Sequence, residues 1–176
     1  MFAGTPADVV ARITAASNAL GVAFQLSDDI LDVASESAQS GKAPGTDLRE
    51  GVRSLPVLHA LAPAAPGSPA AGLAVAGPAV AGPAVAGTSA AGTSAAGTSA
   101  DGDARLRELL SRDGLTDDAE HAEALALLRA HPAMDAARAD LRRWSEAART
   151  EIAGLPDVPA RRAFEIMCDF VMERTS

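Results

Sequence analysis

The sequence predicts an all-α protein on three observations. Alanine dominates a chain of 176 residues that is 48% apolar yet only 3% aromatic, and alanine favours helices while being depleted in strands. Apolar residues recur at spacings of three and four on both sides of a glycine-rich middle. No stretch alternates apolar and polar residues as a half-buried strand would. The length suits one domain with a sizeable core.

Residues 1–61 read as helix, loop, helix. Thr5 is placed to cap and Pro6 suits a first helical turn, with Val9, Ile13, Leu20, Phe24, Ile30 and Leu31 at helical spacing and an expected end near Ser35. The loop SAQSGKAPGTD follows, rich in Gly, Ser and Pro. Ser54 is then expected to cap a second helix, whose first turn tolerates Pro56.

Residues 62–102 form a different kind of segment. From Ala74 to Asp103 runs a five-residue repeat: AVAGP, AVAGP, AVAGT, SAAGT, SAAGT, SADGD. Its side chains are too small to build a core, and its Gly and Pro content works against a helix, so it is expected to be a disordered surface insert.

Residues 103–176 return to helical patterning. Leu106, Leu109 and Leu110 open the segment, and Asp117 with Glu120 three residues on has the form of a capping box. His131-Pro132 breaks the run. Met134, Ala137, Leu141, Trp144, Ala148 and Ile152 then mark one long amphipathic helix that GLPDVP ends. A last helix is expected to carry Phe164, Met167, Phe170 and Val171 on its inner side.

The net charge of −8 argues against a general nucleic-acid binder, which needs a basic face for phosphates. The opening residues lack the basic stretch and long apolar run of a secretory signal. Ser54 to Ala100 contains no Lys, Arg, Asp or Glu, but Gly and Pro interrupt it throughout, so no transmembrane span is expected. Cys168 is the only cysteine, which fits a reducing, cytoplasmic setting, and it reads as a core residue. His59, His121 and His131 are scattered, without zinc-ligand spacing.

One stretch carries chemistry. FQLSDDILDV, Phe24 to Val33, sets Asp28, Asp29 and Asp32 in an apolar helix. On that helix Asp28 and Asp32 project about 40° apart and Asp29 about 100° from Asp28. Carboxylates so crowded repel one another unless cations compensate. Hard oxygen ligands suit Mg²⁺, which binds through one or two carboxylates plus substrate phosphates. A solvated acidic face is the competing reading, against which stand the apolar flanks Val22, Ala23, Phe24, Leu26, Ile30, Leu31 and Val33. Lys42 and Arg53, around the loop that follows, are the basic groups placed to meet phosphate.

GVAFQLSDDILD followed by GKAPGTDLREGVRSLPVLHAL resembles the second aspartate-rich region of the trans-isoprenyl diphosphate synthases, the polyprenyl synthetases. The resemblance is dense over residues 1–61 and looser over 103–176. It implies an all-α isoprenoid-synthase bundle around a deep cavity and Mg²⁺-dependent head-to-tail condensation of isopentenyl diphosphate with an allylic diphosphate. By the same resemblance, Asp28 would hold Mg²⁺ against the allylic diphosphate, with Asp29 and Asp32 supporting it as further metal-side ligands. Lys42 would contact the diphosphate, and Phe24 and Gln25 would line the cavity. Arg53 is a weaker candidate for the diphosphate. Many members carry a second lysine where Val52 stands, and the neighbouring Arg53 points about 100° away on a helix.

The resemblance also implies an earlier aspartate-rich motif, which these residues lack. The expectation is therefore the C-terminal portion of a synthase, active and dimeric when complete. The alternative is a non-catalytic fragment or subunit that docks on a complete synthase. A class I terpene cyclase uses similar magnesium chemistry, but Asp32 stands where its motif wants Ser or Thr, and the Gly-Lys loop belongs to the synthases.

Overall fold

A computed structural model describes residues 4–35, 43–62 and 100–175, and every regular element among them is helical. The elements are α1 (Ala7–Ala34), α2 (Thr46–Glu50), α3 (Leu55–Leu61), α4 (Ala100–Leu110), α5 (Asp118–Ala130), α6 (Ala133–Ala153) and α7 (Pro159–Glu173).

The spine is the pairing of α1 with α6. One side of α1 buries Ala16, Ala19, Leu20, Ala23, Ser27, Ile30 and Val33, and α6 answers with Ala137, Leu141, Ser145, Ala148 and Ile152. Small side chains at a helix contact let the axes approach closely, which gives the alanine-rich composition its structural use. α3 packs across α6, α7 joins α6 from another side, and α4 and α5 pair with each other. Leu48, Leu55, Val57, Leu106, Leu109, Leu125 and Leu128 complete one core.

The inward positions expected for the long helix hold: Met134, Ala137, Leu141, Ala148 and Ile152 are buried and Trp144 is half-buried against the core. Asp117 caps α5, its Oδ1 accepting from the backbone N–H groups of Ala119 and Glu120 at 2.9 Å each. Glu120 does not complete a capping box; its carboxylate instead pairs with Arg112. Cys168 is fully buried, as expected of a core residue, and burial raises its thiol pKa.

Four expectations need correction. Thr5 makes no cap bond, and the residue preceding α1 is Pro6, whose extended backbone feeds the helix. Thr46 and Asp47, read as the end of the loop, open the short helix α2 between two left-handed glycines, Gly45 and Gly51. The third segment becomes helical at Ala100 rather than at Asp103. The inner side of α7 is built by Phe164, Cys168 and Val171, whereas Met167 and Phe170 are 55% and 58% exposed. They share the outer stripe with Ile166 because the apolar residues of α7 encircle it, and spacing alone could not say which stripe meets α6. The repeat from 74 to 99 lies outside the described residues.

By length and composition α1 is long and apolar enough to cross a membrane. The same helix carries Asp28, Asp29 and Asp32 in one turn and packs against α6.

Candidate functional site

The aspartate turn of α1 is where the other elements converge. Each carboxylate reaches a different neighbour. Asp32 accepts the backbone N–H of Thr46 on Oδ1 at 3.1 Å and that of Asp47 on Oδ2 at 3.2 Å. It thus caps α2, whose own preceding residue, Gly45, has no side chain to do so. Asp29 Oδ2 accepts the N–H of Leu55 at 2.8 Å and caps α3. The expected cap, Ser54, stands at the right position, yet its buried hydroxyl has no partner among the described residues. Asp28 pairs with the guanidinium of Arg174, just beyond α7.

The electrostatics follow from that geometry. Burial raises the carboxyl pKa of Asp29 above its ordinary 3.8, the Leu55 N–H pulls it back, and the charges of Asp28 and Asp32 push it up again. Burial is thus the main reason that Asp29 resists ionising, and its two charged neighbours add to it. Asp28 is the most open of the three, its side chain 47% exposed, beside exposed Phe24 and Gln25 on the same face of α1. Arg174 lies 4.9 Å from the ring centre of Phe24 and 5.9 Å from that of Phe170.

Helix α5 holds the loop that follows α1 at both ends. Arg129 donates to the backbone carbonyls of Val33 and Ser35, both at 2.7 Å, and so satisfies carbonyls at the C-terminal end of α1. His121 Nε2 donates to the Gly45 carbonyl at 2.8 Å in a buried contact. Gly45 adopts a φ of +73°, and a Cβ there would sit 2.7 Å from His121 Nε2, so glycine is required twice over. Gly45 N–H in turn bonds the Asp32 carbonyl at 2.8 Å.

The structure brings together Phe24, Gln25, Asp28, Asp29 and Asp32. Lys42 lies outside the described residues. Arg53 is exposed and lines a shallow pocket with Leu48, Val52, Val57, Leu109 and Arg112, and no aspartate of the turn contributes to that pocket. Sequence reasoning missed Arg174, His121 and Arg129. Arg174 carried no periodic signal, and the other two act on carbonyls far away in sequence.

Among the described residues, no three His, Cys, Asp or Glu side chains surround a common point as metal ligands. The donor set nevertheless fits a hard divalent ion of the Mg²⁺ kind, which needs only one or two carboxylates besides water and phosphate oxygens. Asp28 presents a carboxylate to the open face and already draws a cation to it.

The polyprenyl synthetase family matches residues 1–73. Nonaprenyl diphosphate synthase of Mycobacterium tuberculosis is 39% identical over 99% of this chain and 41% of its own length. Among solved structures, geranylgeranyl pyrophosphate synthase of Corynebacterium glutamicum, complexed with calcium and isoprenyl diphosphate, superposes with a TM-score of 0.71 at 28% identity, over 98% of this chain and 42% of its own. A decaprenyl diphosphate synthase of Rhodobacter capsulatus gives 0.66, also at 28% identity. The fold and the aspartate turn define an isoprenoid-synthase bundle. The chain is similar over nearly its whole length to trans-isoprenyl diphosphate synthases, and it spans about two fifths of the length of the relatives it matches.

Proposed function

We propose that this chain supplies the second aspartate-rich wall of a trans-isoprenyl diphosphate synthase, which condenses isopentenyl diphosphate head-to-tail with an allylic diphosphate. The observation that carries the reading is the open face of α1, on which Asp28 stands beside Phe24 and Gln25 while Asp29 and Asp32 are fixed behind it by helix N-termini. The calcium and isoprenyl diphosphate bound by the Corynebacterium structure support the same reading.

In this mechanism Asp28 would hold a Mg²⁺ ion against the allylic diphosphate. Mg²⁺ would supply charge neutralisation of the departing diphosphate, the largest electrostatic demand of an ionisation step. Asp29 and Asp32 keep the turn of α1 in register with α2 and α3, and so keep Asp28 aimed at the open face. Phe24 presents an aromatic surface that shields the allylic chain and its cation from water, and Gln25 lines the same wall. Lys42 and, more weakly, Arg53 serve the diphosphate. The working enzyme is cytoplasmic and a dimer in this reading, with residues 1–61 and 103–176 forming one domain around the repeat insert.

A second reading has an observation of its own. Val10, Ile13 and Phe24 on α1 and Ile166, Met167 and Phe170 on α7 are large, apolar and exposed. Faces of that kind mark association surfaces. They fit a chain that docks on complementary helices, whether of its own synthase or, as a non-catalytic subunit, of a complete one.

The test is incorporation of radiolabelled isopentenyl diphosphate into prenyl product, with an allylic diphosphate and Mg²⁺. The chain is assayed alone and together with a polypeptide carrying the upstream helices of a relative. Product from the mixture that falls at least a hundredfold with Asp28→Asn supports catalysis, since metal-held charge stabilisation of that size is typical. Tight association without product, unchanged by Asp28→Asn, supports the docking subunit instead.

A further inference from the structure

Arg174 is the least expected member of the site. It follows α7 directly, and 146 residues separate it from Asp28. Its side chain is only 21% exposed, its guanidinium flanked by the Phe24 and Phe170 rings, with NH2 donating to Asp28 Oδ1. Neither ring is buried in the core; both are exposed residues whose described aromatic contact is this cation. Three groups from two elements therefore converge on one guanidinium. An arginine, planar and weakly hydrated, stacks on such rings better than a lysine would.

We propose that Arg174 is a resident counter-cation that latches Asp28 and must leave before a divalent ion can bind there. The proposal rests on the reading of Asp28 as the metal-holding carboxylate. Guanidinium and metal ion compete for the same lone pairs, and two cations cannot share so small a space without strong repulsion. While the latch is closed, Asp28 is incompetent for metal, so the apparent metal affinity is scaled down by the fraction of molecules in which it stands open. The contact also ties the end of α7 to the aspartate turn in the metal-free state. It explains how Asp28 is tolerated beside two other carboxylates before any metal arrives, which the caps at α2 and α3 do not, since they serve only Asp29 and Asp32. Metal binding is thereby coupled to release of Arg174 at the end of α7.

The experiment is Mn²⁺ binding to the full chain, read as loss of the free-ion EPR signal, for wild type, Arg174→Gln, Arg174→Lys and Asp28→Asn. An exposed ion pair with a cation–π contribution is worth a small factor, so Arg174→Gln is expected to tighten Mn²⁺ binding about three- to tenfold. Arg174→Lys keeps the charge but loses the planar stacking and fork, and is expected to tighten it by a smaller, measurable factor. Asp28→Asn is expected to abolish the site. If Arg174→Lys binds as wild type does, the effect of Arg174 is net charge alone and the latch is wrong. The same holds if Arg174→Gln is unchanged while Asp28→Asn loses the metal, an outcome that leaves the metal reading intact. If Asp28→Asn binds Mn²⁺ like wild type, it is the metal reading of Asp28 that fails.

Discussion

Asp29 separates two effects that one residue combines. Its Oδ2 caps α3 through the 2.8 Å bond from Leu55 N–H, while its charge sits part-buried between Asp28 and Asp32. Asp29→Asn keeps an oxygen to accept that N–H but removes the charge. Asp29→Ala removes both. Loss of a helix cap costs about 1 kcal/mol, so Asp29→Ala should melt below Asp29→Asn by about 2–4 °C in a chain of 176 residues. The pH dependence has a definite sign. Because the folded carboxyl titrates above the unfolded value of 3.8, the folded state keeps its proton longer, and the stability Asp29 contributes is present below 3.8 and lost as pH rises through the folded value. The melting temperature of Asp29→Asn minus that of wild type should therefore grow as pH rises from 3.8, then level off. The assay is thermal melting followed by far-UV circular dichroism, without divalent ions and at matched concentration. Equal melting temperatures for the two variants would refute the cap. A difference from wild type that shrinks as pH rises would refute the charge argument.

Other perturbations test the neighbouring contacts. Asp32→Ala removes both acceptors at the start of α2 and should speed amide exchange at Thr46 and Asp47, with a loss of about 1–2 kcal/mol read from urea unfolding. His121→Ala leaves the buried Gly45 carbonyl without its 2.8 Å partner and should cost about 1–3 kcal/mol by the same measurement. Buried Asp140 accepts from both His59 at 3.1 Å and Arg143 at 2.9 Å, so His59→Leu should be milder than Asp140→Leu, which strands the histidine. Cys168, fully buried with its pKa raised, should react with a thiol reagent far more slowly in the native chain than in urea. Equal rates would mean that α7 does not pack on α6 as described.

The sequence announced the helices, the long amphipathic run from Met134 to Ile152, the cap at Asp117 and the cluster at Asp28, Asp29 and Asp32. These are local signals: a period, a residue type before a helix, a spacing within one turn. It could not announce what the carboxylates touch. Asp32 and Asp29 cap helices 14 and 26 residues away. Capping preferences are read from the residue next to a helix, whereas here the cap comes from another helix in space. Ser54 shows the converse: the right residue at the right place, whose hydroxyl caps nothing, with Pro56 offering no N–H at the second helical position, while a carboxylate from α1 takes the Leu55 N–H. Arg174, His121 and Arg129 were silent for the same reason, since long-range partners leave no trace in periodicity.

The misassigned face of α7 carries a further lesson about this fold. Phe164, Cys168 and Val171 bury one side, while Ile166, Met167 and Phe170 lie open on the other. An ordinary surface helix has one apolar stripe and a charged back; α7 has two. The open side of α1 repeats the pattern with Val10 and Ile13 near its start and Phe24 beside the aspartate turn. Apolar surface of this extent marks a face for association rather than a solvated exterior. Its exposure should make the isolated chain associate, so sedimentation should show species above the 17.7 kDa of one chain. Phe170→Ser with Ile166→Ser should reduce that association without lowering the melting temperature, because neither side chain is part of the core. A monomer that melts cooperatively with both residues intact would mean that these stripes need no partner.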